Sequence, residues 1–487
     1  MSQSQPLPLT THLSIPYQQP KMDDPPQATL QQNDNFPTFR KLGRLPKNLW
    51  QRGRKARRIL LWLCVLIVAL HIGVNLWASL RLNRELMNLR NQGQPLTLQE
   101  LSPPTLSDQR NAALLYQQAN DLLSPEIKKI LAGGEPLDFN GLPRTLNRQE
   151  LAKNHAAVVL IRQAVRLPDC RFVPIGDNPF TARYPHLEMM RRLERLMCAQ
   201  ALQEAADGQQ VQALGDVQVI FQMSQHLKGE ATLIGLLTRN AIENVAYKTL
   251  GKTLKIAKLT SEQGHALLQS LPLVDWKTAL PRVMGEERVF GIWGFETVRR
   301  DPSQGIIMLS GGDEHSERPS MFIIFMAKVM GLLWSPISKL DELQYLHYMQ
   351  RVVSICSEPP FAPQPTTRYD FDQEIPRYAV LTRIVAPVYE SVVRRRDEAE
   401  VEQRLSEVAV ALCVYRTQTG HYPTHLAEVI PIWGSKLPLD PHSNQPFIYK
   451  LTAHGFELYG VGPNRRDDGG TNKKFPADDI LWPPGRR

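Results

Sequence analysis

The chain has 487 residues, a formal net charge of +9, and 42% hydrophobic, 22% charged and 7% aromatic residues. These values exclude a wholly disordered chain, a collagen-like chain and a polytopic transporter, and the length suggests roughly two to four domains. Five cysteines without a CxxC pair exclude a disulfide-dense module and the usual zinc and redox cysteine frameworks.

The first forty residues hold seven Pro and seven Gln with little periodicity, which predicts a solvated, disordered tail. The positive charge lies just beyond it. Residues 1–58 contain ten Lys/Arg and three Asp, a net of +7, which leaves +2 for residues 59–487. Nine of those cations fall between Arg40 and Arg58 with no acid among them. Such a run can neutralise nucleic-acid phosphates. Here it abuts Ile59–Leu80, 22 residues without a formal charge. Membrane topology therefore accounts for it, and no nucleic-acid partner is expected. As a helix, Ile59–Leu80 is about 33 Å long, enough to cross the hydrocarbon core. Trp62 and Trp77 lie near its ends, where interfacial indoles are favoured. The following twenty residues hold three Arg and two Glu. The Lys/Arg bias thus predicts the N-terminus inside and the C-terminus outside. A cleaved signal peptide fits poorly, because 58 residues precede the apolar run. His71 and Asn75 share one face of the span. They read either as a helix–helix contact or as a tolerated polar pair near the outer interface.

Helical periodicity then dominates to about residue 420. Arg81–Arg90 continues the membrane helix to Gly93 and Pro95, and Pro103-Pro104 marks a linker. Ser107–Leu123 and Leu151–Leu167 read as helices, with a loop at Gly133–Pro143 and an irregular stretch at Pro168–Pro185. His186–Lys258 carries the strongest signal, with breaks expected at Gly208, Gly229 and Gly251. Thr260 to Gln263 is a capping box that opens another helix. Asp275–Arg300 and Leu340–Ile355 are two more. No fixed repeat is visible, so an irregular helical bundle is expected rather than a solenoid. Met321–Trp334 is apolar except for Lys328 and too short to span a bilayer. It reads either as a helix on the outer leaflet or as a buried bundle helix. Outside the membrane, Cys170, Cys198, Cys356 and Cys413 could form a disulfide, or stay buried as thiols.

The last hundred residues carry a specific pattern. Pro387 is placed to open a helix that runs to about Thr417, with Gly420 as its cap. Phe447–Lys450 and Phe456–Val461 read as a hairpin. The order of Tyr415…Gly420-His421-Tyr422-Pro423, Leu437-Pro438-Leu439-Asp440-Pro441…Asn444-Gln445-Pro446-Phe447-Ile448-Tyr449, Phe456–Asn464 and Asp467-Asp468-Gly469-Gly470…Asp478-Asp479-Ile480-Leu481-Trp482 resembles the globular end of the major pseudopilin of type II secretion. The resemblance implies a small α+β fold whose final loop binds calcium. It also implies a bacterial cytoplasmic membrane and a setting near a secretion or pilus-like machine. Read alone, Asp467, Asp468, Asp478 and Asp479 are two acid pairs that could offer oxygens to calcium, or simply solvated turns. Arg465, Arg466, Lys473 and Lys474 would weaken a cation there. A pseudopilin starts with a short leader and an apolar helix bearing an early Glu; here the apolar helix begins at Ile59 and has no acid. The chain therefore looks unsuited to assembly as a pilin.

No HExxH, GxSxG, Walker A or GxGxxG pattern is present. His421 and His425 have zinc-pair spacing, but Pro423 between them argues against a helix. Gly312-Asp313-Glu314-His315 and Glu286-Glu287-Arg288 read as loop charge and helix-face ion pairs rather than acid–base sites. The expected fold class is mainly α. The expected organisation is a basic cytoplasmic tail (1–58), a transmembrane helix (59–80), a stalk (81–106), a helical extracytoplasmic domain (107–386) and a pseudopilin-like α+β domain (387–487). The expected function is a non-enzymatic, single-pass envelope protein that contacts protein partners. The alternative is an extracytoplasmic enzyme whose site is assembled from scattered residues of the helical domain.

Overall fold

The computed structural model describes residues 47–101, 106–131, 148–172, 184–256, 259–271, 276–302, 321–357, 375–434, 436–471 and 479–483. The tail before Lys47, the loop at Gly133–Pro143, the segment Gly312–His315 and Asp478 lie outside them. The chain divides into two units, Met1–Ile67 and Val68–Arg487.

The fold is mainly α. Helix α1 (Lys47–Asn91) contains the apolar segment and ends at Gly93, whose φ of 72° suits glycine. It is the single helix among the described residues that is long and apolar enough to cross a membrane. In the first unit, Ile59 to Ile67 are exposed.

In the second unit, α2 (Ala112–Leu122), α3 (His155–Ala164), α4 (Pro185–Ala206), α5 (Gln210–His226), α6 (Leu233–Ile256) and α7 (Ser261–Ser270) follow in order. The capping box forms as expected: Gln263 N–H donates to Thr260 Oγ1 at 3.2 Å, and Thr260 N–H to Gln263 Oε1 at 3.0 Å. Leu151–Leu167 is interrupted at Asn154, whose side chain instead accepts from Ser124 N–H at 3.1 Å. Gly251, expected as a break, lies inside α6. Its missing side chain admits the end of the chain: a Cβ there would stand 2.6 Å from Pro483 Cβ.

The long helices α8 (Trp276–Arg300) and α9 (Met321–Ser357) pack antiparallel, with Gly291 against Tyr345 and Arg299 bonded to Glu342. Helix α9 joins the two expected stretches Met321–Trp334 and Leu340–Ile355 into one helix and carries Pro336 in its interior. Among its described side chains before Ser335, Met326, Met330, Leu332, Leu333 and Trp334 are all exposed, which does not fit a buried bundle helix. Asn75 is a helix–helix contact: it accepts from Lys339 Nζ at 2.8 Å and Ser335 Oγ at 3.2 Å.

Helix α10 (Val380–Thr419) begins before Pro387 and is capped by Gly420 at φ 86°. Beyond it lie β1 (Leu439–Asp440) paired with β2 (Gln445–Pro446), and an antiparallel sheet of β3 (Ile448–Thr452), β4 (Gly455–Gly460) and β5 (Ile480–Trp482) with β4 central.

Two apolar cores result. One joins α2–α7 to the second half of α10 and the sheet, with Tyr116, Met190, Phe221, Leu405, Leu412, Leu458 and Trp482 in one cluster. The other gathers Leu82 and Leu89 of α1 with Leu280, Met284, Tyr345, Met349 and Val392. Apolar packing thus crosses position 387, because α10 contributes its first half to one core and its second half to the other. No disulfide joins any of the five cysteines, and Cys198, Cys356 and Cys413 are buried.

Candidate functional site

The acidic loop is built on the edge of the three-stranded sheet. The β3–β4 hairpin sets Tyr459 on β4, opposite Ile448 in register. Tyr459 O–H donates to Asp467 Oδ1 at 3.0 Å, and Gly469 N–H donates to the same oxygen at 2.8 Å. Lys450 Nζ stands 4.9 Å from the Tyr459 ring centroid. Asn464 Nδ2 donates to Asp468 Oδ2 at 2.7 Å. Gly469 and Gly470, both at φ 78°, fold the chain back so that its amides point inward.

Those amides meet Asp479, which is 2% exposed. Its Oδ2 accepts from Gly470 N–H at 2.7 Å and Thr471 N–H at 3.3 Å, and its Oδ1 from Asp468 N–H at 3.3 Å. Burial raises the Asp479 carboxyl above its ordinary range; the amides pull it back, and the negative charge of Asp467 adds to the rise. The loop therefore sets the Asp468 amide against Asp479 and leaves the Asp468 carboxylate with Asn464, while Asp478 lies outside the described residues. Among the described residues, no three His, Cys, Asp or Glu side chains gather closely enough to hold an ion.

Sequence reasoning missed Asp440. It is buried and accepts from His442 N–H at 2.9 Å, Ser443 Oγ at 3.0 Å and Val461 N–H at 2.9 Å, tying the β1–β2 turn to the end of β4. Gly460 makes this approach possible, since a Cβ there would lie 3.2 Å from Asp440 Cγ. The available signal was Asp440-Pro441-His442-Ser443, an Asx-turn composition.

The other candidates are structural. His421 donates from Nδ1 to the Tyr422 carbonyl at 3.0 Å, beyond the end of α10, so the pair with His425 has no helix to align it. Glu286 pairs with Arg282 at 2.9 Å, and Arg288 donates to Gln94 Oε1 at 2.9 Å. Glu287 accepts from Leu233 N–H at 2.6 Å, and burial pushes its carboxyl up to about 7.

Buried ionic groups in the helical region went unread as well. Glu194, raised by burial to about 7, accepts from Cys198 Sγ at 3.3 Å. Arg162 bridges Asp216 at 2.7 Å and Glu204 at 2.9 Å. Glu342, also raised by burial to about 7, is bonded to Arg299. The i, i+4 spacing of Glu194 and Cys198 was legible; the long-range pairs were not. A polar crevice lined by Asn240, Glu243, Tyr247, Trp276 and Glu402 is too tight for a water-sized sphere.

Comparison with protein-family models, with curated proteins and with solved structures returns no match to this chain.

Proposed function

We propose that the protein is a single-pass membrane-anchored structural protein whose outer body presents a fixed surface to other envelope proteins, near a type II secretion or pilus-like system. The observation that carries this reading is the shared core. Val401, Leu405, Leu412 and Trp482, from the pseudopilin-like stretch, are buried in the same cluster as Tyr116, Met190 and Phe221 of the helical region. Burying side chains of this size stabilises by roughly 1.5–3 kcal/mol each, so that stretch is held as part of the body rather than freed to assemble as a pilin. The raised carboxyls Glu194, Glu287 and Glu342 are engaged by Cys198, by the Leu233 amide and by Arg299 within the packed interior. That favours the interaction reading over the enzymatic one.

Calcium is the ligand proposed for the C-terminal loop. Supporting it is the mutual repulsion of Asp467 and Asp479, which a hard cation would relieve. The three described carboxylates do not form an ion cluster by themselves, so Asp478 or chain carbonyls must complete the set.

The interaction reading is tested by photo-crosslinking from exposed body positions, such as Val211 and Ile234, in native membranes. Recurrent adducts with one or a few defined proteins are expected. Absence of any protein adduct across such positions would sink the reading.

A further inference from the structure

Two helices of the second unit lose their protein cover at the same place. In α1, Ala78 and Leu82 are buried, while Leu70 and Ile72 are 66% and 60% exposed. In α9, Ser338 and Asp341 are buried, while Leu332 and Leu333 are 72% and 57% exposed. A polar clamp marks the change. Lys339 Nζ donates to Asn75 Oδ1 and to Ser79 Oγ, both at 2.8 Å, and Ser335 Oγ donates to Asn75 Oδ1 at 3.2 Å. Further along, Gln350 Nε2 donates to Glu85 Oε1 at 2.7 Å. Residues 75, 79 and 85 thus face 335, 339 and 350 in ascending order, so the two helices run in the same direction. Moving back from the clamp, α1 enters its apolar span and α9 enters Met321–Trp334.

We infer that the first half of α9 is a second membrane contact, lying in the outer leaflet beside the anchor. The occupant of its bare apolar face is lipid hydrocarbon. Continuity with the span carries this, and the inference rests on the reading of α1 as the anchor. The level of the clamp also has the composition of a bilayer interface. Trp77 and Trp334, 48% and 43% exposed, flank it, as indoles do at headgroup depth. Arg81 lies with its guanidinium 4.9 Å from the Trp77 ring centroid. Arg300 is exposed at the end of α8, where Pro302 packs against Gly331 of α9; both cations suit lipid phosphates. Fourteen residues give about 21 Å of helix, too short to span, and Pro336 can bend it away from the body.

The test uses the full chain in nanodiscs of phosphatidylcholine and phosphatidylglycerol. The background is Cys64→Ala, because the other four cysteines are buried or half-buried. An environment-sensitive fluorophore is placed in turn at Leu332→Cys, at Leu70→Cys in the span and at Val211→Cys on the body. It is then quenched with doxyl-labelled lipid or with aqueous iodide. The expected result is that position 332 follows position 70, strongly quenched by lipid and several-fold less by iodide than position 211. If 332 follows 211 while 70 is lipid-quenched, the inference is overturned and the anchor stands. If 70 is itself iodide-accessible, the anchor reading fails and takes the inference with it. If 332 is shielded from both quenchers, protein covers the helix and the inference is overturned.

Discussion

Gly264→Ala distinguishes a docked C-terminal stretch from a separate one. Gly264 lies in the middle of α7, where replacing glycine by alanine ordinarily adds about 1 kcal/mol of helix stability. Here a Cβ would overlap the Cγ2 methyl of Val414 and stand 3.4 Å from its Cβ. Val414 belongs to α10 and is fully buried, so the methyl has no open space to yield into. Overpacking of this kind costs about 1–3 kcal/mol, which cancels the helix gain, and the net change expected is a loss of up to about 2 kcal/mol. Val414→Ala alone leaves a cavity and loses about 2 kcal/mol. The double variant removes the overlap, so its loss should fall short of the sum of the singles by about 1–2 kcal/mol. Thermal unfolding of the full chain in detergent, followed by near-ultraviolet circular dichroism, reads these differences as shifts of a few degrees. A stabilised Gly264→Ala with additive double-variant behaviour would refute the shared core.

The buried carboxyl of Glu194 makes a pH prediction. Its pKa is raised from 4.5 to about 7 by burial, so the folded state binds more protons than the unfolded state between those values. Stability should fall as pH rises across that window, and Glu194→Gln should reduce the fall by about 3 kcal/mol, seen in denaturant melts at pH 5 and pH 8. Equal pH dependence in both proteins would contradict the assignment. Asp479→Ala orphans three amide donors and should lower the melting temperature by several degrees even in chelator, corresponding to about 2–4 kcal/mol. Asp478→Ala should abolish the rise in melting temperature on adding millimolar calcium; a variant that keeps the calcium response would remove Asp478 from the ligand set.

Local signals carried far in this chain. The capping box at Thr260, the Gly420 cap and the β3–β4 hairpin are short-range devices, and each was legible because its partners lie within a few residues. Gly251 shows the opposite case. In sequence it reads as a helix breaker, yet it sits inside α6 because Trp482 and Pro483, more than two hundred residues later, need the space. The continuity of Met321–Trp334 with Leu340–Ile355 in one helix was missed for a related reason. The apolar run before Pro336 and the amphipathic run after it have different patterns, although one backbone helix contains both. At the acidic loop, the acid pairs were visible. The role of Asp479 as the acceptor for Asp468, Gly470 and Thr471 was not, because it depends on the glycine backbone folding the loop back onto β5. Asp440 and the Lys339–Asn75 clamp depend on contacts across 21 and 264 residues, which no local pattern encodes.

The most direct test of the anchored outer body is its side of the membrane. A membrane-impermeant maleimide applied to intact spheroplasts should label Val211→Cys on the body in the Cys64→Ala background, and should label a cysteine placed in the basic tail only after lysis. Labelling of the tail cysteine, with Val211→Cys protected until lysis, would contradict the account.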